Sequence, residues 1–149
     1  MGKMKKGKYR KSVFIVTYAK SKSKIFYLIL KRKLHWKGWE FPKGGIKSFE
    51  TKKRAIKREI KEETGLDSHK ISKFKVYGKY KYPKKLKDRP GFIGQSFSLY
   101  SAEVKKKIVK VDGNEHSNYK WASFEKAMKS LKWPNQRKCL NVVNDYLLK

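Results

Sequence analysis

The segment that decides the fold of this chain runs from Gly44 to Leu66 and reads GGIKSFETKKRAIKREIKEETGL. Thr51 is a suitable N-cap, because its hydroxyl can accept a hydrogen bond from an unpaired amide of the first helical turn. Gly65 is placed to end the helix in the left-handed conformation that favours glycine. No proline or glycine lies between them, so the sequence predicts a helix bounded by Thr51 and Gly65.

Three carboxylates of this helix share one face. Glu59 precedes Glu62 by three residues and Glu63 by four, which are the spacings of helical neighbours. Neither Glu59 nor Glu63 has a lysine or arginine at such a spacing, although lysine is abundant in the chain, so both are expected to lack a cation to pair with. Like charges at this spacing cost about 0.2–0.5 kcal/mol per pair. A solvated acidic face is one explanation, but a divalent cation such as Mg²⁺, which takes oxygen ligands and holds substrate phosphates, explains the cluster better.

The same segment resembles the Nudix box, a family motif with fixed spacing. The motif reads Gly, five residues, Glu, seven residues, Arg-Glu-aliphatic, one residue, Glu-Glu, one residue, Gly-aliphatic. The positions that match it are Gly44, Glu50, Arg58, Glu59, Ile60, Glu62, Glu63, Gly65 and Leu66. A match of this length is a far more specific signal than a short glycine pattern. The resemblance implies a loop–helix–loop that binds divalent metal and hydrolyses a nucleoside diphosphate linked to another moiety.

The resemblance also implies a metal site on this helix. Glu59 and Glu63 are the expected principal ligands, Glu62 lies close by, and the Gly44 carbonyl completes the shell. Mg²⁺ is the expected ion, with Mn²⁺ as a second candidate. Such an ion neutralises phosphate oxygens and helps to orient or deprotonate the attacking water. Glu59 and Glu62 are therefore predicted to be catalytic as well as metal-binding.

Further residues of the motif are expected to support this site. Arg58, also predicted to be catalytic, should hold Glu50 or a metal-binding glutamate in place. The alternative for Arg58 is a surface pair with Glu62, which would contribute little. Gly45 is expected to let the loop backbone approach the metal, or to form a plain turn. Gly65 serves as the helix end.

One carboxylate outside the motif, Glu115, is a candidate general base. Attack at phosphorus needs a group that accepts the proton of water, and a metal-bound carboxylate is a poorer base. Glu115 lies in a predicted loop that can reach the metal, and related Nudix enzymes carry an acidic residue at this place. Two alternatives stay open: Glu59 is itself the base, or Glu115 is a solvated loop residue.

Weaker resemblances concern the substrate. Segment 39–45, WEFPKGG, is similar to the lead-in of the motif in asymmetric dinucleoside tetraphosphate hydrolases and in RNA 5′-pyrophosphohydrolases. Gly94-Gln95 is similar to a pair in both groups, whereas segments 115–121 and 133–137 resemble the tetraphosphatase branch. Lys43, at a distal phosphate, and Gln95 are predicted to bind substrate.

The motif departs from the family pattern at two positions. Lys47 and Phe49 replace the Glu and Gly often found before the position of Glu50. The metal ligands are intact, so the departure affects only the expected loop geometry.

Three functions follow from these resemblances. The leading one is Mg²⁺-dependent hydrolysis of a nucleoside polyphosphate, foremost diadenosine tetraphosphate to ATP and AMP. Its nearest rival is a pyrophosphohydrolase that acts on RNA 5′ ends. A non-catalytic nucleic-acid-binding module is a third, but such a module has no need of Glu59, Glu62 and Glu63 together.

The net charge of +29 favours polyanionic partners, RNA among them. Genomic bias towards lysine codons explains the charge equally well, since arginine is the residue of bidentate phosphate recognition and is scarce here. A single cysteine, Cys139, excludes an internal disulfide and fits a reducing compartment. No apolar run is long enough to span a membrane and no convincing signal peptide is present, so we expect a cytoplasmic protein. The oligomeric state is left open.

The remaining chain predicts one domain over residues 1–149, an α/β/α sandwich with a mixed β-sheet, which is also the fold that the resemblance implies. Apolar or alternating runs predict strands at 12–18, 25–30, 73–82 and 94–102, and Lys107–Val111 is a candidate for a further short strand. The lysines of 73–82 could follow a phosphate backbone, although protection of an edge strand is favoured. Ser123 and Pro134 are placed to begin two final helices.

Overall fold

The structure, a computed structural model, describes residues 7–149 as a mixed sheet flanked by helices. The strands are β1 Lys8–Ser21, β2 Lys24–Arg32, β3 Gly38–Glu40, β4 Lys43–Gly45, β5 His69–Lys81, β6 Phe92–Glu103 and β7 His116–Ala122. The helices are α1 Lys52–Thr64, α2 Phe124–Ser130 and α3 Pro134–Leu147. The four long strands and all three helices were predicted, and each of these four strands is longer than expected.

The sheet is built around the parallel pair of β1 and β6. Its order is β3-β2-β1-β6-β5, while β4 pairs with β1 and β7 with β2. All pairs other than β1–β6 are antiparallel, so the sheet is mixed, as predicted. The pairing of β4 with β1 sets Val13 opposite Gly44 and thereby fixes the start of the motif against the centre of the sheet.

Helices cover both faces of this sheet, which confirms the α/β/α sandwich. On one face, Ile56 and Ile60 of α1 pack against apolar side chains of β1, β2 and β6. On the other face, Ala127 of α2 and Leu140 and Val143 of α3 form a second apolar cluster with the sheet. Because both faces are covered, β1 and β2 read as continuous apolar runs. No helix within residues 7–149 is long and apolar enough to cross a membrane.

Both ends of α1 lie where the sequence predicts them. The Thr51 hydroxyl accepts a hydrogen bond from the Arg54 amide at 3.2 Å. Gly65 has a φ of 75°, and its amide donates to the Lys61 carbonyl. A side chain at Gly65 would be strained by this left-handed backbone. The two caps therefore set the length of the helix that carries the carboxylates.

The prediction of a strand at Lys107–Val111 is wrong. The apolar pattern correctly indicated burial, because Val109 packs against the α1 side of the sheet. The backbone of the segment is nevertheless irregular. Its backbone bonds elsewhere: the Lys110 amide donates to the carbonyl of Thr64, and the Lys107 carbonyl accepts from the Trp121 indole. The segment therefore bonds to the last residue of helix α1 and to a side chain of β7 instead of extending the sheet.

Strand β5 lies at one edge of the sheet. Within the described residues it pairs only with β6. Phe74 and Val76 turn towards the core, whereas Lys73, Lys75, Lys79 and Lys81 are exposed. A row of lysines on an edge strand discourages pairing with another chain, which is the interpretation favoured from the sequence.

Candidate active site

The metal-binding motif forms where β4 meets helix α1. A side chain on Gly44 would collide with the Glu59 carboxylate, so glycine is required for this close approach. A side chain on Gly45 would collide with the guanidinium of Arg10 on β1. Gly45 thus makes room for an arginine; it does not have the positive φ of a glycine-requiring turn.

Four predicted carboxylates line one cavity of about 270 Å³: Glu59, Glu62, Glu63 and Glu115. Glu63 is 2% exposed, and neither of its oxygens has a hydrogen-bond partner within residues 7–149. Burial, followed by repulsion from Glu59 and Glu115, raises the pKa of Glu63 well above its ordinary value. Burial likewise raises the pKa of Glu59, although Arg58 opposes the shift.

These residues fit a divalent metal. A buried carboxylate without a hydrogen-bond or ion-pair partner lowers the free energy of unfolding, and repulsion from other carboxylates nearby lowers it further. A hard divalent cation at this place would satisfy the Glu63 oxygens and offset the repulsion. Glu62, whose side chain is 53% exposed, lies at the open side of the same cavity.

Arg58 connects the parts of the motif. Its Nε and Nη2 donate to the two oxygens of Glu50 at 2.7 and 2.9 Å, and Nη2 also donates to the Gly45 carbonyl at 2.9 Å. Its Nη1 donates to Glu59 at 2.7 Å and to Glu62 at 3.3 Å. Both expected partnerships of Arg58 are therefore present together. The inference that Glu59 lacks a cation is wrong, because Arg58, its neighbour in sequence, folds back onto it.

The same contacts tie down Glu50. Hydrogen bonds from Arg58 and then from the Lys47 amide lower the pKa of Glu50 to about 2. The carboxylate therefore stays ionised. Glu50 thus holds the loop against helix α1. The hydrogen bond from Lys47 comes from its backbone amide, so it forms even though the Lys47 side chain departs from the family pattern.

Arg58→Lys is expected to lower kcat about 10- to 100-fold, the usual scale for residues that hold metal ligands. A lysine ammonium cannot donate to Glu50, Glu59 and the Gly45 carbonyl with one fixed geometry. Steady-state kinetics over a metal titration would measure the effect. Arg54→Lys, an exposed change on the same helix, is the matched control. Equal rates for both variants would contradict this role.

Glu115 lies beside the carboxylates of α1, as predicted. Its side chain is 30% exposed, and its Oε2 lies 3.7 Å from Nη1 of Arg32. One ligand atom from each of Glu63, Glu115 and His116 lies within 4.8 Å of the others. The location suits either a base or a metal ligand, and the role of Glu115 stays a prediction.

Arg10 is a residue of this cavity that sequence reasoning missed. Its guanidinium rests against Gly45, and burial, then repulsion from Arg89, lowers its pKa. Glu59, the nearby acid, is held by Arg58 instead. No local pattern joins Arg10 to the motif, because only the pairing of β1 with β4 brings them together.

The two predicted substrate-binding residues lie in a second cavity of about 280 Å³, which is largely apolar. The Lys43 ammonium lies 4.6 Å from the ring centre of Trp36 and 5.5 Å from that of Tyr80. Gln95 is buried, and its Oε1 accepts from the Tyr82 hydroxyl at 2.8 Å and from Arg89 at 2.6 Å. Strand β4 separates the cavities, with Lys43 in the apolar one and Gly45 in the acidic one.

A buried charged network, also missed from the sequence, lies between the cavities. Glu40 is fully buried and accepts from Arg32 at 3.2 Å, from Trp36 at 3.3 Å and from Nε2 of His116 at 2.9 Å. Lys43 lies 3.4 Å from it. Burial alone would raise the pKa of Glu40, but Lys43, the His116 hydrogen bond and Arg32 lower it to about 2.

Known proteins share both the sequence pattern and the fold. The sequence profile of the NUDIX domain matches residues 8–142. The RNA pyrophosphohydrolase of a Marinomonas species is 37% identical over 108 residues, which cover 65% of this chain and 67% of that protein. The RNA pyrophosphohydrolase of a Nitratiruptor species is 32% identical over 129 residues, 82% of this chain and 83% of that protein.

Solved structures show the same fold at lower identity. C. elegans Ap4A hydrolase is 24% identical, with a TM-score of 0.72, over 93% of this chain and 98% of that chain. The E. coli dihydroneopterin triphosphate pyrophosphohydrolase is 20% identical, with a TM-score of 0.67, over 89% of this chain and 94% of that chain. Their different names show that this fold does not decide the substrate. The motif on α1 and the match over residues 8–142 show that this chain belongs to the Nudix family of hydrolases.

Proposed function

We propose that this protein removes phosphate groups from RNA 5′ ends by metal-dependent hydrolysis of a phosphoanhydride bond, in the cytoplasm. The observation that supports this chemistry is the buried Glu63 carboxylate, which has no hydrogen-bond partner within residues 7–149 and shares its cavity with Glu59, Glu62, Asp112 and Glu115. The relatives named RNA pyrophosphohydrolase, 32% and 37% identical, support the substrate. This order reverses the sequence-based preference for diadenosine tetraphosphate.

The metal would be held by Glu59, Glu62 and Glu63 and by the Gly44 carbonyl. Bound there, a divalent ion such as Mg²⁺ or Mn²⁺ supplies charge neutralisation for phosphate oxygens and a lower pKa for bound water. Arg58 keeps Glu59 in place through its 2.7 Å hydrogen bond. The ligands are thus positioned before substrate arrives.

The reaction needs one proton acceptor. Water adds to phosphorus, the anhydride P–O bond breaks, and the proton of the water moves to a carboxylate. Arg58 already occupies one oxygen of Glu59, whereas the ion pair that Glu115 makes within residues 7–149 is the longer contact to Arg32. Glu115 is therefore the better placed acceptor.

Two arginines supply a place for the phosphate chain. Arg10 lines the acidic cavity, and Arg89 is close enough to lower its pKa by repulsion. Arg89 also contacts Gln95, which lines the apolar cavity. An anion bound between two guanidinium groups offsets their mutual repulsion. The planar guanidinium also donates paired N–H hydrogen bonds to phosphate oxygens. A polyphosphate between Arg10 and Arg89 would join the two cavities.

Arg10→Gln is expected to lower kcat/KM about 10- to 100-fold, because a charge-assisted hydrogen bond contributes about 1.5–3 kcal/mol. The effect should be measured with a 5′-triphosphate RNA at fixed metal concentration. Lys8→Gln, an exposed change on the same strand, removes the same charge and should have little effect. If the two variants lose activity equally, general charge and not a phosphate contact explains the result.

The function is tested by a substrate panel in ¹⁸O-labelled water with Mg²⁺. The panel contains 5′-triphosphate RNA, nucleoside triphosphates and dinucleoside tetraphosphates. We expect turnover of the RNA at the highest kcat/KM, and the position of the label identifies the phosphorus attacked. If none of them turns over, the enzyme proposals are wrong.

Salt dependence separates RNA from a short substrate. The logarithm of kcat/KM for a triphosphate RNA is expected to fall steeply with the logarithm of salt concentration, by about 0.7 for each phosphate that lysines contact. Lys79 on β5 contacts the ring of Tyr9, adjacent in sequence to Arg10, so the lysine row begins near the site. A triphosphate dinucleotide, which reaches few of these lysines, is the control. Equal slopes for both substrates would exclude RNA contacts outside the cavities.

Hydrolysis of a dinucleoside tetraphosphate is the second candidate. The observation that favours it is the apolar cavity, where the rings of Trp36 and Tyr80 both lie close to the Lys43 ammonium. Aromatic rings of this kind stack on nucleobases. A higher kcat/KM for diadenosine tetraphosphate than for triphosphate RNA in the panel would establish this function instead.

A further inference from the structure

His116 is a fully buried histidine at the start of β7, beside the carboxylate cavity. Its Nε2 lies 2.9 Å from Oε2 of Glu40. Its other ring nitrogen, Nδ1, is buried and has no hydrogen-bond partner within residues 7–149. A buried ring nitrogen without a hydrogen-bond partner lowers the free energy of unfolding, so a ligand bound at Nδ1 would stabilise this arrangement.

The contact with Glu40 decides which nitrogen carries the proton. Glu40 also accepts from Arg32 and Trp36, and an ionised carboxylate can only accept. The Nε2 of His116 must therefore be the donor. In the neutral ring, Nδ1 is then left with a lone pair, which is the form in which histidine binds metals.

The ligand atoms of Glu63 and Glu115 lie within 4.8 Å of a His116 ring nitrogen. The oxygens of Glu63 are buried and unpartnered like Nδ1. Two adjacent buried groups thus offer lone pairs, and neither donates to the other. One cation between them would satisfy both groups.

We propose that His116 contributes its Nδ1 to the metal centre, so that one metal position is formed by Glu63, Glu115 and an imidazole. This inference rests on the proposed function, because it concerns the same metal centre. Imidazole suits transition metals, whereas Mg²⁺ takes oxygen ligands. The position is therefore suited to Mn²⁺, Co²⁺ or Zn²⁺ and disfavours Mg²⁺.

The surroundings of His116 match what a metal-binding histidine needs. Such a histidine almost always donates its second N–H to a carboxylate or carbonyl, which fixes the ring. Glu40 does this here, and Arg32 and Trp36 hold Glu40 in turn. Glu40 is thus a positioning residue for the ring. Of the three ligands, only Glu115 is partly exposed, so its side chain can adjust to the ion.

The test detects the nitrogen directly in Mn²⁺-loaded protein without a histidine tag. The chain contains three histidines, and the double variant His35→Gln/His69→Gln leaves only His116. Electron spin echo envelope modulation of this variant should show nitrogen coupled to Mn²⁺, and the signal should change when histidine is labelled with ¹⁵N. Because His116 itself is intact, the test does not depend on how a His116 variant folds.

Metal affinity gives a second measurement. His116→Gln should weaken Zn²⁺ binding about 10- to 100-fold, the usual cost of disturbing a metal shell. Mg²⁺ binding should change less than about twofold, because Mg²⁺ keeps to oxygen ligands. Isothermal titration calorimetry measures both affinities on the same protein.

The outcomes separate this inference from the proposed function. Bound Mn²⁺ without nitrogen coupling in the double variant would overturn the imidazole ligand and leave the metal-dependent function standing. Equal losses of Zn²⁺ and Mg²⁺ affinity in His116→Gln would also overturn it. If the wild-type chain binds neither Mn²⁺ nor Mg²⁺, the proposed function fails as well.

Discussion

Glu63→Gln is expected to abolish turnover while the protein stays folded. The change removes one negative charge and keeps the size of a side chain that lies between the helix and the cavity. A loss of more than about 1,000-fold in kcat, or roughly 4 kcal/mol of barrier, is the scale expected when a principal metal ligand is removed. Steady-state kinetics over a Mg²⁺ titration measures it, with Glu125→Gln on the exposed face of α2 as the control. Near-normal kcat with unchanged Mg²⁺ dependence would rule out Glu63 as a ligand.

The same variant should change the stability of the metal-free protein. Burial raises the pKa of Glu63 in the folded state. The stabilising contribution of its protonated form is therefore complete below the unfolded pKa, about 4.3, and is lost as pH rises through the folded pKa. Metal-free wild type should thus become less stable with rising pH, and Glu63→Gln should reduce this loss. Urea unfolding in the presence of a chelator, at pH 5 and pH 8, gives the free energies of unfolding to compare.

The features that could be predicted from the sequence are those with local causes. The caps of α1, Thr51 and Gly65, depend on backbone groups within one helical turn, so their residue types suffice. The grouping of Glu59, Glu62 and Glu63 follows from helical periodicity alone. The place of Glu115 was predicted only through the family resemblance, because it lies 52 positions after Glu63 in the sequence.

The features that escaped prediction depend on strand pairing. Glu40 and His116 are 76 residues apart and meet because β3 and β7 both pair with β2. Arg10 reaches Gly45 through the pairing of β1 with β4. No periodicity within one segment encodes such contacts. Helical spacing also misled in one case, since Arg58 reaches Glu59 although adjacent residues of a helix do not usually face each other.

Glu115→Gln is expected to lower kcat at least ~100-fold, the usual scale for losing a general base, with a smaller effect on KM. The side chain lines the carboxylate cavity, so it can accept the proton of the attacking water. A base must be deprotonated to act, so the rate of the wild type should fall as pH decreases. In Glu115→Gln this acidic limb of the pH–rate profile should shift or vanish.

The comparison with Glu59→Gln decides between the two candidate bases. Loss of a base leaves the metal bound, so excess Mg²⁺ should not rescue Glu115→Gln, whereas loss of a ligand lowers metal affinity and is partly rescued. A partial rescue of Glu115→Gln by Mg²⁺ would make Glu115 a Mg²⁺ ligand instead of the base. The metal position with His116 disfavours Mg²⁺, so it does not require such a rescue. If Glu115→Gln turns over like wild type while Glu59→Gln is inactive at every Mg²⁺ concentration, Glu59 is the base. That result would show that the Glu59 carboxylate accepts the proton even though Arg58 binds it. Glu115 would then be an ordinary residue at the rim of the cavity.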